Sequence, residues 1–232
     1  MKLEQIKNTL LATQAKNEVV ANNLANIQTT GYKKDVMFVE YLEQSDTVKS
    51  TVKTSHAQGK FLDTKNSLDL AISGAGFFAI ETPEGERYSR NGHFALDAQG
   101  AVVTGSGDYV LGEAGRIYLP SEDSKPGDIT ISSEGDIFYR DTQLDTLKII
   151  SVTDPGTLKK TGDGYFMAGP ETEIQPASNH AVLQGKLEES NVNPIDEMVQ
   201  LIEIQRQYES LQRTIRSLDM ALGRAVNDIP RY

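Results

Sequence analysis

Three histidines, His56, His93 and His180, are the side chains best suited to hold a metal or move a proton near neutral pH, and they are scattered along the chain. No HExxH pair is present, and no two histidines have the spacing of a metal-binding pair. No GxSxG frames a serine nucleophile. Cysteine is absent, which removes thiolate nucleophiles, disulfides and cysteine zinc sites together. Gly74-Ala75-Gly76 follows a strand-like run, but Ala79 stands where a nucleotide loop needs its third glycine, and Phe77-Phe78-Ala79-Ile80 continues as strand rather than helix. That segment is expected to be a β-turn. The 33 Asp and Glu could in principle supply a carboxylate pair for glycoside cleavage, but with so many acids such a pair is uninformative. The residues therefore predict no catalytic, cofactor-binding or metal site, and no enzyme.

What the sequence does carry is two matching stripes, one at each end. Leu201, Ile204, Tyr208, Leu211, Ile215, Leu218, Leu222 and Ala225 are spaced alternately by three and four residues. Leu3, Ile6, Leu10, Thr13, Asn17, Val20, Leu24 and Ile27 repeat that spacing. A 3,4 repeat places all of them on one narrow helix face, the seam of a coiled coil. Such a seam needs a partner helix: the other end of the chain, or another copy. Thr13 and Asn17 weaken the first seam and tend to set register. The first helix is expected over 3–27, with Gly31 as a stop. The second is expected over 194–226, about 50 Å long at ~1.5 Å per residue. Asn193 is its cap, Pro194 its first residue, and Asp196 and Glu197 lie at its positive end.

Between the ends the period changes. Leu68, Leu70 and Ile72 alternate, and short apolar runs recur to Tyr165–Met167, separated by turn pairs such as Asn91-Gly92, Gly107-Asp108 and Glu134-Gly135. The expected fold is α+β: N- and C-terminal α-helices forming a coiled-coil-like assembly domain, with a central all-β domain between them in sequence. The expected division is 1–34 with 190–232 as a discontinuous helical domain, 35–67 as an extended connector, and 68–187 as a β-rich outer domain.

Net charge is −10, distributed as +3 over residues 1–34, −2 over 186–232 and −11 between them. An acidic middle argues against nucleic acid. No apolar run approaches the ~20 residues of a membrane span, and Lys2, Glu4 and Lys7 interrupt any signal-peptide apolar region.

Three segments carry a family resemblance. ANNLANIQTTGYKK (21–34) resembles the N-terminal signature of bacterial flagellar axial proteins, the rod, hook and hook-associated proteins. LDLAISGAGFFAIETPEGERYSRNGHFALDAQGAVVT (68–104) resembles the start of their shared β-domain, and LQGKLEESNVNPIDEMVQLIEIQRQYE (183–209) their C-terminal signature. The short chain, lacking a large inserted domain, resembles the flagellar basal-body rod proteins. Residues 145–166 and 191–194 are most similar to the proximal branch, with the distal branch close behind.

The resemblance implies a non-enzymatic structural subunit without cofactor, polymerising through its terminal helices into a torque-transmitting shaft. It implies other rod and hook-basal body axial proteins, further copies of itself and the flagellar type III export apparatus as partners. It also implies a place in the periplasm-spanning rod, reached without a cleaved signal peptide and without membrane insertion. The residues expected to assemble are Leu3, Ile6, Leu10, Val20, Leu24, Ile27, Leu201, Ile204, Tyr208, Leu211, Ile215, Leu218 and Leu222. The rival from another class is a monomeric β-domain binding module with docked ends.

Overall fold

The computed structural model describes residues 3–42, 47–120 and 128–227; the side chains at 3–5, 39–42, 47–49, 163, 219 and 221–227 lie outside the described residues. The architecture is α+β, with a helix at each end and a β-rich centre. Helix α1 spans Leu3–Ala25 and helix α2 spans Pro194–Asn227. The chain forms two compact units. Unit 1 is Met1–Ala25, Asp35–Lys53 and Val192–Tyr232, and unit 2 is Asn26–Lys34 and Thr54–Asn191. Segment 35–67 contributes strands to both.

In unit 1, α2 begins where its capping chemistry predicts. Asn193 Oδ1 accepts the Ile195 N–H at 3.1 Å, and Asn193 O accepts the Glu197 N–H at 3.1 Å. Helix α1 ends before Ile27, earlier than the seam suggests. Just beyond its end the backbone turns, with Thr29 N–H donating to Asn26 O at 3.2 Å and the Thr29 hydroxyl to Asn26 Oδ1 at 3.2 Å. An asparagine side chain competes with the helical ladder and favours such a turn. Gly31 therefore stops nothing; it lies in unit 2. Strands β1 (Asp35–Leu42) and β2 (Thr47–Thr54) pair in a two-stranded sheet of unit 1.

In unit 2, the strands in chain order are β3 (Phe61–Asp63), β4 (Leu70–Gly74), β5 (Phe77–Thr82), β6 (Gly85–Ser89), β7 (Phe94–Leu96), β8 (Val102–Thr104), β9 (Tyr109–Gly112) and β10 (Gly115–Arg116). They continue with β11 (Ile129–Ile131), β12 (Asp136–Tyr139), β13 (Thr142–Thr146), β14 (Ile149–Val152), β15 (Leu158–Lys160), β16 (Tyr165–Ala168), β17 (Ile174–Pro176), β18 (His180–Gln184) and β19 (Lys186–Glu188). The largest sheet runs β15-β16-β6-β5-β9-β8-β7, with β14 also on β5, β17 on β14 and β10 on β9. Three antiparallel strands, β11-β12-β13, form a second sheet. The late strands β18 and β19 return antiparallel to the early β4 and β3.

Strand β5 explains why its sequence is a continuous apolar run rather than an alternation. Phe78 and Ile80 enter the larger core cluster with Leu70, Ile72, Phe94 and Val110, while Phe77 and Ala79 enter a second with Tyr88, Ile150 and Phe166. All four β5 residues are buried, so the strand has core on both faces. Gly74, the last residue of β4, and Gly76, in the β4–β5 connection, are both at positive φ.

Gly92 lets the chain pass close to β4. A Cβ there would meet Leu70 O at 1.8 Å, a backbone atom that cannot swing aside. Gly92→Ala should therefore destabilise unit 2 by about 2 kcal/mol or more, read as a lowered urea midpoint. An unchanged midpoint would mean the two segments separate freely.

Candidate assembly site

Within unit 2, three segments distant in sequence meet on one buried carboxylate. Glu188, on β19, is 1% exposed. Its Oε1 accepts the Lys33 ammonium and the Gly59 N–H at 2.8 Å, and its Oε2 accepts Arg90 Nη1 at 3.3 Å. Lys33 and Arg90 are themselves 1% and 6% exposed. Lys33 Nζ donates a further bond to Ala57 O at 2.8 Å, and Arg90 donates to Ile72 O at 3.0 Å and Gly74 O at 2.7 Å. A charge is tolerated in a core only when paired and hydrogen-bonded in this way.

The surrounding backbone fits these groups closely. Gly31 N–H donates to Glu188 O at 2.7 Å, and Asn191 Oδ1 accepts the Lys34 N–H at 2.7 Å. Asn191 Nδ2 donates to Ser55 O and Ala57 O. Gly31 has φ +69°, and a Cβ there would stand 2.3 Å from Asn91 N. The Thr30 hydroxyl donates to Asn91 Oδ1 at 2.7 Å. Lys160 Nζ lies 3.7 Å over the Tyr32 ring and donates to Lys33 O at 2.7 Å. Each of the three resembling segments thus supplies one charge: Lys33 from 21–34, Arg90 from 68–104 and Glu188 from 183–209.

In unit 1, the two stripes face each other within one chain. Helices α1 and α2 pack together and run antiparallel. Asn23 Nδ2, near the end of α1, donates to Glu197 Oε2 at 3.3 Å near the start of α2, while Thr13 and Asn17 share a cavity with Ile204 and Tyr208. Asn23 also closes onto Asp35, donating to its carbonyl at 2.8 Å and accepting its N–H at 2.9 Å. Of the seam positions, Ile6, Thr13, Val20 and Ile204 are buried, and Leu10, Asn17, Leu24, Leu201, Leu211, Ile215 and Leu218 are half-buried. Tyr208 is 40% exposed. Ile27 lies beyond α1, half-buried in unit 2. The side chains of Leu3, Leu222 and Ala225 lie outside the described residues. Polar Thr13 and Asn17 keep the middle of the seam from closing and leave a cavity of about 450 Å³.

The histidines do not converge. His93 Nδ1 lies 2.7 Å from Asp69 Oδ1, His56 packs beside Phe77 and Phe166, and His180 lies on β18 opposite Gly74. Among the described residues, no group of three or more His, Cys, Asp or Glu is placed to hold a metal.

The cluster holds separate segments of unit 2 around one carboxylate, and similarity to known proteins places the chain further. Family models match three stretches: flagella basal body rod protein at 7–33, the flagellar hook protein FlgE/F/G D1 domain at 71–139, and the flagellar basal body rod FlgEFG protein C-terminal region at 183–228. The chain is 35% identical to the flagellar basal-body rod protein FlgF of Caulobacter vibrioides over 84% of each chain. It is 34% identical to FlgG of Agrobacterium fabrum, over 90% of this chain and 91% of that one. With FlgG of Bacillus subtilis the identity is 30%, over 92% and 93%. The chain belongs to the flagellar basal-body rod protein family, whose members are structural proteins and not enzymes. Membership implies a place in the flagellar basal body and assembly with other flagellar axial proteins.

Removing Glu188 would leave two buried cations uncompensated. Glu188→Ala should cost about 3–5 kcal/mol of unfolding free energy, measured by urea denaturation; a loss below about 1 kcal/mol would mean the cluster is peripheral. Burial pushes the Lys33 ammonium below its usual 10.5, with Glu188 only partly opposing. In the window just below 10.5 the unfolded chain therefore holds a proton that the folded chain has released, and this group's contribution to stability rises with pH. The stability of wild type relative to Lys33→Met should thus improve as pH climbs toward 10.5. A pH-independent difference would contradict the assignment.

Proposed function

We propose that this chain is a rod subunit that polymerises through its terminal helices into a helical axial shaft and transmits torque along it. The observation that supports this best is that the family match covers both terminal helices as well as the β-rich centre. Contacts between identical copies whose rotation does not close give a helix, not a ring. In this reading the helical ends, 1–34 with 190–232, form the assembling part and the β-rich region, 68–187, the outer part. The subunit reaches the periplasm-spanning rod through the type III apparatus without a cleaved signal peptide. Its partners there are other axial proteins and its own copies.

Chain length favours the FlgF kind of subunit. The alignments with the FlgG proteins of A. fabrum and B. subtilis run over 245 and 249 positions, more than this chain's 232 residues, so those relatives carry segments that it lacks. The alignment with C. vibrioides FlgF runs over 209. The resemblance of 145–166 and 191–194 points to the proximal rod. One observation favours the rival reading of a monomeric module: α1 and α2 satisfy each other within one chain.

Ile215 is half-buried on the α2 seam. Ile215→Asp would bury a charge there and open the helix pair, at a cost of several kcal/mol. Cells carrying it should express the protein, keep the unit 2 melting transition and stop swimming. Normal swimming would favour the monomeric module. Mass spectrometry of protein from purified basal bodies should find its N-terminus near Met1; a start far downstream would mean conventional processing.

A further inference from the structure

Asn91-Gly92, between β6 and β7, is the one place in the chain where asparagine precedes glycine. In an unfolded chain such a pair reacts slowly with itself. The Gly92 backbone nitrogen attacks Asn91 Cγ, unhindered because glycine has no Cβ. The new N–Cγ bond closes a succinimide ring. The Cγ–Nδ2 bond breaks, and the amide leaves as ammonia with the proton from the Gly92 N–H. Water then opens the ring. Cleavage of N–Cγ leaves aspartate at position 91 in a normal backbone. Cleavage between that nitrogen and the backbone carbonyl carbon of residue 91 leaves isoaspartate, with the main chain rerouted through the side chain.

Closed unit 2 forbids the first step. The ring forms only if the Asn91–Gly92 peptide rotates until its nitrogen faces Cγ, and both sides of that peptide are held. Gly92 is buried, its carbonyl accepts the Leu70 N–H at 2.9 Å, and a Cβ on it would lie 1.8 Å from Leu70 O. His93 then bridges antiparallel to Asp69. On the other side, the Asn91 N–H donates to Ser89 Oγ at 3.0 Å, and a Cβ on Gly31 would stand 2.3 Å from Asn91 N. The side chain is held as well: Asn91 Oδ1 accepts the Thr30 hydroxyl at 2.7 Å and the His93 N–H at 3.1 Å. A segment gripped by the core in this way opens rarely.

The two products fit this setting unequally. Both side-chain hydrogen bonds of Asn91 arrive at its oxygen, and among the described residues its Nδ2 donates none. A carboxylate of normal linkage therefore keeps both donors and makes stronger, charge-assisted bonds with them. Isoaspartate lengthens the main chain by a methylene at the point where Gly92 is wedged against Leu70. Close-packed interiors do not absorb a methylene without strain.

We propose that Asn91-Gly92 is a deamidation site that reacts only while unit 2 is open, and that the closed fold readmits aspartate at position 91 and rejects isoaspartate. The site thus records time spent unfolded. This inference is independent of the rod reading.

To test it, full-length protein is held at neutral pH in buffer and in urea, then cut after glutamate. The 87–113 peptide contains no other asparagine, and mass spectrometry against synthetic standards follows its three forms. Deamidation should be slower in buffer than in urea by about a hundredfold or more. Equal rates, or no reaction in urea, would overturn the proposal. The aged urea sample is then refolded beside a fresh one, and compact protein is separated from open protein by size exclusion. Aspartate at position 91 should elute with the compact protein and isoaspartate with the open protein. Isoaspartate equally frequent in the compact fraction would overturn the sorting. Asn91→Asp checks the accepted product alone: its urea midpoint should match wild type, and failure to fold would overturn readmission.

Discussion

The buried carboxylate of Glu188 is the point at which residues 26–34 and 183–191 are joined to the β-rich core of unit 2. Its carboxylate is buried, and three groups from distant parts of the chain complete it: the Lys33 ammonium, the Gly59 N–H and the Arg90 guanidinium. An isolated buried carboxylate is expensive, and so are isolated buried cations. Each partner therefore enforces the presence of the others. Such a cluster adds less net stability than an apolar core of the same volume, but it is intolerant of partial assembly. Unit 2 closes fully only when residues 26–34 and 183–191 have both arrived. Unit 2 therefore extends beyond the β-region to residues 26–34 and 183–191, although most of its apolar core lies between Leu68 and Val182.

Unit 1 repeats the arrangement at smaller scale. Asn23 saturates the backbone of Asp35 on both its polar groups and reaches Glu197 as well. A polar contact between the ends of two helices fixes their register more sharply than apolar seam residues do, because apolar contacts slide at little cost. Thr13 and Asn17 weaken packing further along. The buried Asn17 Oδ1 has no hydrogen-bond partner among the described residues, beside the cavity they share with Ile204 and Tyr208. The seam is thus specified at one end and loose in its middle.

Much of this was legible in the sequence. The start of α2 followed from Asn193 and Pro194, the stripes marked two helices, and turn pairs marked the β-region. The end of α1 was missed because an apolar residue at the right spacing, Ile27, continues the stripe after local asparagine chemistry has ended the helix. The cluster of Lys33, Arg90 and Glu188 was also missed. Each is a single charged residue with no periodic signal, and Lys33 and Glu188 stand 155 residues apart. Charged residues are mostly exposed, so nothing local distinguishes these three from surface charges. The signal that could have found them is that each falls inside one of the three segments resembling the flagellar axial family.

Both contacts, Glu188 with its cations and α1 with α2, are made within one chain, and a side-chain-resolution density map of the assembled basal body is the sharpest test of whether they persist there. Expected are rod subunits in which Lys33 and Arg90 meet Glu188 of the same copy, and α1 lies antiparallel to α2 of the same copy with Asn23 against Glu197. A map in which α1 pairs along its seam with α2 of a neighbouring copy, or in which Glu188 is solvent-exposed, would contradict this expectation.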